Sequence, residues 1–182
     1  MYQSCPNAAK GLKWMFIAQI LTLISVPLMA IAIGGLTALA ATVLNLVGLY
    51  TATHDDAGYF PALYAEIANL VISVLSNAFH NGILTAVLSV VSEALCLFIV
   101  YQVITTTLNL LDGRNGTLAL RGGYVIRIYM VCTLVAVVCM VLSVIPIVDI
   151  LAAVVSLVAA IAMVVGYVFY LMFLYGASKA LI

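Results

Sequence analysis

Charge is the scarcest thing in this 182-residue chain, with six basic and six acidic residues, or 7% together. A soluble domain carries about 25% charged residues to present a water-facing surface over its core. With 67% apolar residues, this sequence has no such cover, which excludes a soluble globular enzyme and a disordered polar chain. The basic residues form no clustered face, so nucleic acid is not a partner. Only two histidines, His54 and His80, are present. The topology developed below puts them at opposite faces, which excludes a bis-histidine haem or a histidine-cluster metal site within one chain. The four cysteines, Cys5, Cys96, Cys132 and Cys139, lack CxxC spacing, and three lie in apolar runs. They read as small polarisable packing residues.

Catalytic motifs are missing too. There is no Gly-x-x-x-x-Gly-Lys phosphate loop and no Gly-x-Ser-Gly turn with a partnering histidine. Asp112-Gly113 matches the opening of the alcohol phosphotransferase motif of phospholipid synthesis, but its later Ala-Arg and aspartates are absent. The expectation is therefore a protein that is not an enzyme and holds no cofactor and no metal.

What the sequence has instead is long apolar stretches. Six spans of about 20 residues would use about two-thirds of the chain, matching its apolar fraction. The runs and their breaks predict helices over about 12–33, 36–53, 61–79, 83–111, 124–144 and 148–178, as one transmembrane domain over residues 1–182. Gly34-Gly35, the polar stretch 53–61 opening on Pro61, His80-Asn81-Gly82, the loop 112–123 and Pro146 separate them. The start, with Lys10 and Lys13 before an apolar run, resembles a signal peptide. Its run is longer than the 7–15 residues of a signal, so an uncleaved first span is expected. Six spans put the N-terminus, the 54–60 loop, the 112–123 loop and the C-terminus on one side. All six Lys and Arg residues (Lys10, Lys13, Arg114, Arg121, Arg127, Lys179) fall there or in the adjoining helix end, which makes that face cytoplasmic. Trp14, Tyr50, Tyr59, Tyr64, Tyr101, Tyr124, Tyr129 and Tyr175 lie towards the same side, as an interfacial belt would. The predicted fold is an all-α six-helix bundle with both termini inside, surrounded by the lipid bilayer as its first partner.

Three helix pairs end alike when aligned on Tyr50, Tyr101 and Tyr175, and each opens after a glycine, Gly11, Gly58 or Gly123. This pattern predicts three tandem helical hairpins. Ionisable groups inside spans are costly and by default mark sites. Glu66 opens a polar stripe along the third helix that continues through Asn69, Ser73, Ser76 or Asn77, and His80, at helical spacing. Glu93 lies near the middle of the fourth helix, with Ser89, Ser92 and Cys96 on its face. Gln19, Thr22 and Ser25 form a weaker stripe on the first. The candidate intramembrane polar site is therefore Glu66, Asn69, Ser73, Asn77, Glu93 and Gln19. Such groups act either as helix–helix glue or as a pathway for a proton, cation or small solute. Small residues at four-residue spacing (Gly34, Ala38 and Thr42; Ser156 and Ala160; Ala162 and Gly166) let backbones approach closely, within the bundle or against a second copy.

The segment Val47–Tyr59 (VGLYTATHDDAGY), with tight glycine turns and short loops, resembles small multi-pass bacterial membrane proteins of uncharacterised function. The resemblance implies a prokaryotic inner-membrane location and carries over no functional residue. Size and helix count are similar to the substrate-binding components of vitamin uptake transporters, whose Ala-x-x-x-Ala coupling motif and long external loops this chain lacks. The three-hairpin plan is similar to the mitochondrial carriers, but the chain is far shorter and lacks their Pro-x-Asp/Glu-x-x-Lys/Arg signatures. The leading expectation is a structural, interaction or accessory membrane subunit that meets a protein partner or a second copy through its helix faces. The alternative is a small permease or ion pathway through Glu66 and Glu93.

Overall fold

The computed structural model describes residues 5–28, 34–78, 82–111, 116–142 and 149–182. They form α1 (Pro6–Leu28), α2 (Gly34–Ala52), a 3-10 turn (Ala57–Tyr59), α3 (Phe60–Ala78), α4 (Gly82–Leu110), α5 (Gly116–Leu142) and α6 (Asp149–Ala180). The described structure is helical with no strand, and six helices are long and apolar enough to cross a membrane. This is a multi-pass membrane protein with an all-α six-helix bundle. The physical cause is simple: hydrocarbon offers no partner for backbone N–H and C=O groups, so each apolar run satisfies them internally as a helix.

Helices differ from their predicted ranges mainly at the end that carries the termini. α1 starts at Pro6 rather than near residue 12, and α5 at Gly116 rather than near 124. Apolar runs report membrane depth, whereas caps and turns decide where a helix begins. Proline suits the first turn, where its missing N–H is no loss. The Ala8 N–H is then capped by the Asp55 carboxylate at 2.7 Å. The turns assigned to His80-Asn81 and Pro146, and the loop residues Asp112 and Arg114, lie outside the described residues.

Each helix packs on the one before and the one after it, and α6 returns to α1, so the six close into a ring. Contact is most extensive within α1–α2, α5–α6 and α3–α4, the three predicted hairpins, and slightest between α2 and α3. Both termini lie at one end, where the Cys5 N–H donates to the Leu181 carbonyl at 3.1 Å. The hairpins are quasi-equivalent at that end. Tyr50, Tyr101 and Tyr175 all face outward, while the preceding Leu49, Val100 and Leu174, and Ala52, Val103 and Ala177 two residues after, are all buried. The opening glycines match less well. Gly11 and Gly58 touch neighbouring elements, but Gly123 faces open space and Gly122 packs against Ile104 and Phe173 instead.

The core is concentrated at the termini end, where Leu12, Met15, Leu49, Tyr59, Val103, Ile104, Phe173 and Leu174 are fully buried. Packing thins away from it: no described side chain over 66–76 of α3 or 84–98 of α4 is fully buried. Two members of the expected aromatic belt, Tyr59 and Tyr129, belong to this core, Trp14 is half-buried, and Tyr50, Tyr64, Tyr101, Tyr124 and Tyr175 are exposed. Of the small-residue faces, Gly34 is buried and a Cβ on Gly166 would meet Ile128 of α5 at 2.7 Å, whereas Ala160 is exposed.

Candidate functional site

The polar residues inside the bundle gather at helix interfaces. Asn45 is the single amide of α2 and is buried, and its Nδ2 donates to Glu66 Oε1 of α3 at 3.0 Å. Three residues on, Asn69 turns to the other neighbour. Its Oδ1 accepts from Ser92 Oγ of α4 at 2.6 Å, and its Nδ2 donates to Cys96 Sγ at 3.4 Å. Helix geometry explains the split, since three residues at about 100° each leave Asn69 about 60° round the helix from Glu66. The start of the stripe thus has one hand on α2 and the other on α4. At the closing seam, the Tyr167 hydroxyl of α6 lies 2.5 Å from the Gln19 carbonyl oxygen of α1 and 2.8 Å from its Oε1.

Two further tyrosines pair between α5 and α6. Tyr129 of α5 and Tyr170 of α6 meet edge to face with centroids 6.1 Å apart. Both rings are buried. Among the described residues, no fully enclosed side-chain nitrogen or oxygen lacks a hydrogen-bond partner.

The six residues picked from sequence are therefore not one cluster. Glu66, Asn69 and Gln19 each join a different pair of helices. Glu93, half-buried on α4, is within electrostatic reach of Cys96 but is not brought to Glu66 by any described hydrogen bond. Ser73 lies exposed one turn beyond Asn69. The Asn77 side chain and His80 lie outside the described residues. Ser89 and Thr22 turn back on their own helices, to the carbonyls of Thr85 and Ala18. Among the described residues, no group of three or more His, Cys, Asp or Glu side chains is placed to hold a metal.

Sequence reasoning missed Asn45, Tyr167 and Tyr170. Asn45 carries a legible signal, a lone amide in an apolar helix about 10 Å from the helix end, the same depth as Glu66 on the next helix. The tyrosines gave none, because an interfacial ring and a buried one look alike in a string of letters.

The Val47–Tyr59 segment has a structural use throughout. Gly48 lies against Gly11, where α1 and α2 leave no room for a Cβ on either. Asp55 caps α1 through the Ala8 N–H and accepts from Asn7 Nδ2 at 2.8 Å. Asp56 caps the 3-10 turn by accepting from the Gly58 N–H at 2.7 Å, and the Gly58 carbonyl accepts from Thr106 Oγ1 of α4 at 3.1 Å. The Tyr59 hydroxyl pairs with Thr107 Oγ1 at 2.7 Å in the core. One short loop thereby ties α1, α2, α3 and α4 together. No protein-family model matches the sequence, and no curated protein and no solved structure matches it.

Proposed function

We propose that this chain is a structural or interaction subunit of the bacterial cytoplasmic membrane, not an enzyme, with both termini in the cytoplasm. Its intramembrane polar groups set the register of six otherwise featureless helices. The observation that carries this reading is the distribution of Asn45–Glu66, Asn69–Ser92 and Gln19–Tyr167 over three different helix interfaces. Such contacts average about 0.6 kcal/mol, too little to hold a bundle together but enough to choose among rotations that apolar surfaces leave nearly equal. Lys10, Lys13, Arg121 and Lys179 at the termini end support the cytoplasmic assignment. Partners in this role meet exposed helix faces or that basic end.

Reconstitution into proteoliposomes tests the reading. An imposed pH gradient should decay as in empty vesicles and no solute flux should appear. Glu66→Gln should fold normally, because the glutamine carbonyl still accepts from Asn45.

One observation favours a second reading, a small permease or an ion or proton pathway. Beyond Glu66, α3 and α4 contain no fully buried described side chain. A carboxyl group thus stands where the filled end of the ring gives way to the loosely packed one. Flux through the wild-type protein, abolished by Glu66→Gln or Glu93→Gln in a folded bundle, would establish this reading and retire the first.

A further inference from the structure

A groove of about 610 Å³ opens between α1 and α6 at the termini end, lined among others by Lys10, Lys13, Lys179, Phe16, Ile17 and Tyr175. Three of the chain's six basic residues therefore surround one cleft. No acidic residue lines it, and none of the three lysines forms an ion pair among the described residues. Nearby Asp55 is already committed to the α1 N-terminus.

The lining is graded. Lys10 and Lys13 sit three residues apart on one face of α1, the spacing at which helical side chains are neighbours. Phe16 and Ile17 follow one turn deeper. On α6, Lys179 Nζ lies 4.4 Å over the Tyr175 ring, which itself lies 5.4 Å from the Phe16 ring, centroid to centroid. From Lys10 to Ile17 the groove therefore passes from cationic to apolar within about 10 Å of helix. That is the profile of an amphipathic anion, with its charged head at the lysines and a hydrocarbon chain along Phe16, Ile17 and Tyr175.

We propose that this groove is a binding site for one anionic glycerophospholipid from the leaflet at the termini end. The lysines hold the headgroup phosphate and the aromatic wall holds the upper part of an acyl chain. Charge complementarity selects this occupant over a zwitterionic lipid, because basic pockets between membrane helices favour acidic headgroups. The hydrophobic wall selects it over free phosphate. Each lysine near an anionic lipid surface contributes about fivefold to binding. Removing all three should therefore cost on the order of a hundredfold in affinity.

The test is native mass spectrometry of the full-length protein released from mixed micelles holding phosphatidylglycerol and phosphatidylcholine in equal amounts. The expected result is one retained phosphatidylglycerol in preference to phosphatidylcholine. It should be lost in Lys10→Gln/Lys13→Gln/Lys179→Gln and weakened in Phe16→Ala. The control variant Arg121→Gln, a cation outside the groove, should retain it. These lysines are exposed, so the triple variant should keep its helical signal. Equal retention of both lipids, equal loss in Arg121→Gln, displacement by inorganic phosphate, or a dimer with an empty groove would each overturn the proposal.

Discussion

Gly11→Ala adds one methyl group where α1 crosses tightly on α2, and its effect can be worked out from distances. A Cβ at position 11 would lie 2.5 Å from the Gly48 carbonyl oxygen and 2.9 Å from both the nitrogen and the Cβ of Ala52. Two of these are backbone atoms of α2, so no rotamer change relieves the contact. Restoring an ordinary separation of 3.4 Å requires α1 and α2 to part by about 0.9 Å there. A gap of that size forfeits a quarter to a half of the dispersion energy of each contact along the seam, and α1–α2 is the most extensive interface in the molecule. Overpacking of this kind costs about 1–3 kcal/mol. Against it stands the helix propensity of alanine over glycine, about 1 kcal/mol in favour of the substitution.

The same substitution at Gly123 supplies the control, because a Cβ there meets nothing within 4 Å. It keeps the propensity gain and incurs no clash, so Gly123→Ala should be neutral or stabilising by up to about 1 kcal/mol. The propensity term is common to both, so the two variants should differ by the overpacking cost, about 1–3 kcal/mol, with Gly11→Ala the less stable. Denaturant titration of detergent-solubilised protein, read by helical ellipticity and by the fluorescence of Trp14, measures both. Equal stability of Gly11→Ala and Gly123→Ala would refute the close crossing of α1 on α2.

Three further outcomes follow from named contacts. Asp55→Ala removes the carboxylate that caps Ala8 and should cost about 1 kcal/mol, with faster hydrogen exchange at the first turn of α1. A double-mutant cycle on Asn69→Leu and Ser92→Ala should give a coupling energy of about 0.6 kcal/mol; a value indistinguishable from zero would remove the 2.6 Å bond from the account of helix register. In a background without native cysteines, Leu36→Cys and His54→Cys should be labelled by a membrane-impermeant reagent from opposite sides, since 36 and 54 lie at opposite ends of α2. Labelling of both from one side would break the six-span topology.

The six helices were legible in the sequence because hydrocarbon makes helix formation obligatory, whereas the return of α6 to α1 was not. Runs such as 83–111 announce a span because nothing else could bury them, and the structure places α4 over Gly82–Leu110. Helix starts were less legible because they depend on partners distant in sequence. Nothing near Pro6 reveals that Asp55, 47 residues beyond Ala8, will cap α1. The candidate site divided along the same line. Glu66 and Asn69 stood out because a carboxylate and an amide are expensive in lipid wherever they point. That they reach for different helices follows only from the placement of α2 and α4 on either side of α3. Glycine was the least readable of all: Gly11, Gly58 and Gly123 look interchangeable in an alignment, yet the first two are wedged between elements and the third is open.

The polar contacts also fix where the molecule can give. At the termini end, side-chain hydrogen bonds join the Asp55–Tyr59 loop to α1 and α4, and the largest buried side chains fill the ring. At the other end, neither α3 nor α4 has a fully buried side chain from Glu66 to Ser76 or from Leu84 to Phe98. Local opening takes least energy where few apolar contacts are lost, so motion of the α3–α4 hairpin should hinge near Ala65 and Ile99, the last buried positions on each helix. Asn45–Glu66 and the Asn69–Ser92 pair lie next to that hinge, one holding the hairpin to α2 and the other holding its two helices to each other. A partner or solute that separates the hairpin from α2 must first break the Asn45–Glu66 bond. Hydrogen exchange on the Asn45→Leu variant should therefore accelerate over α3 and α4 beyond residues 66 and before 98, while the termini end stays protected. Uniform acceleration over all six helices would mean that the bundle opens as one unit and that these polar contacts mark no hinge.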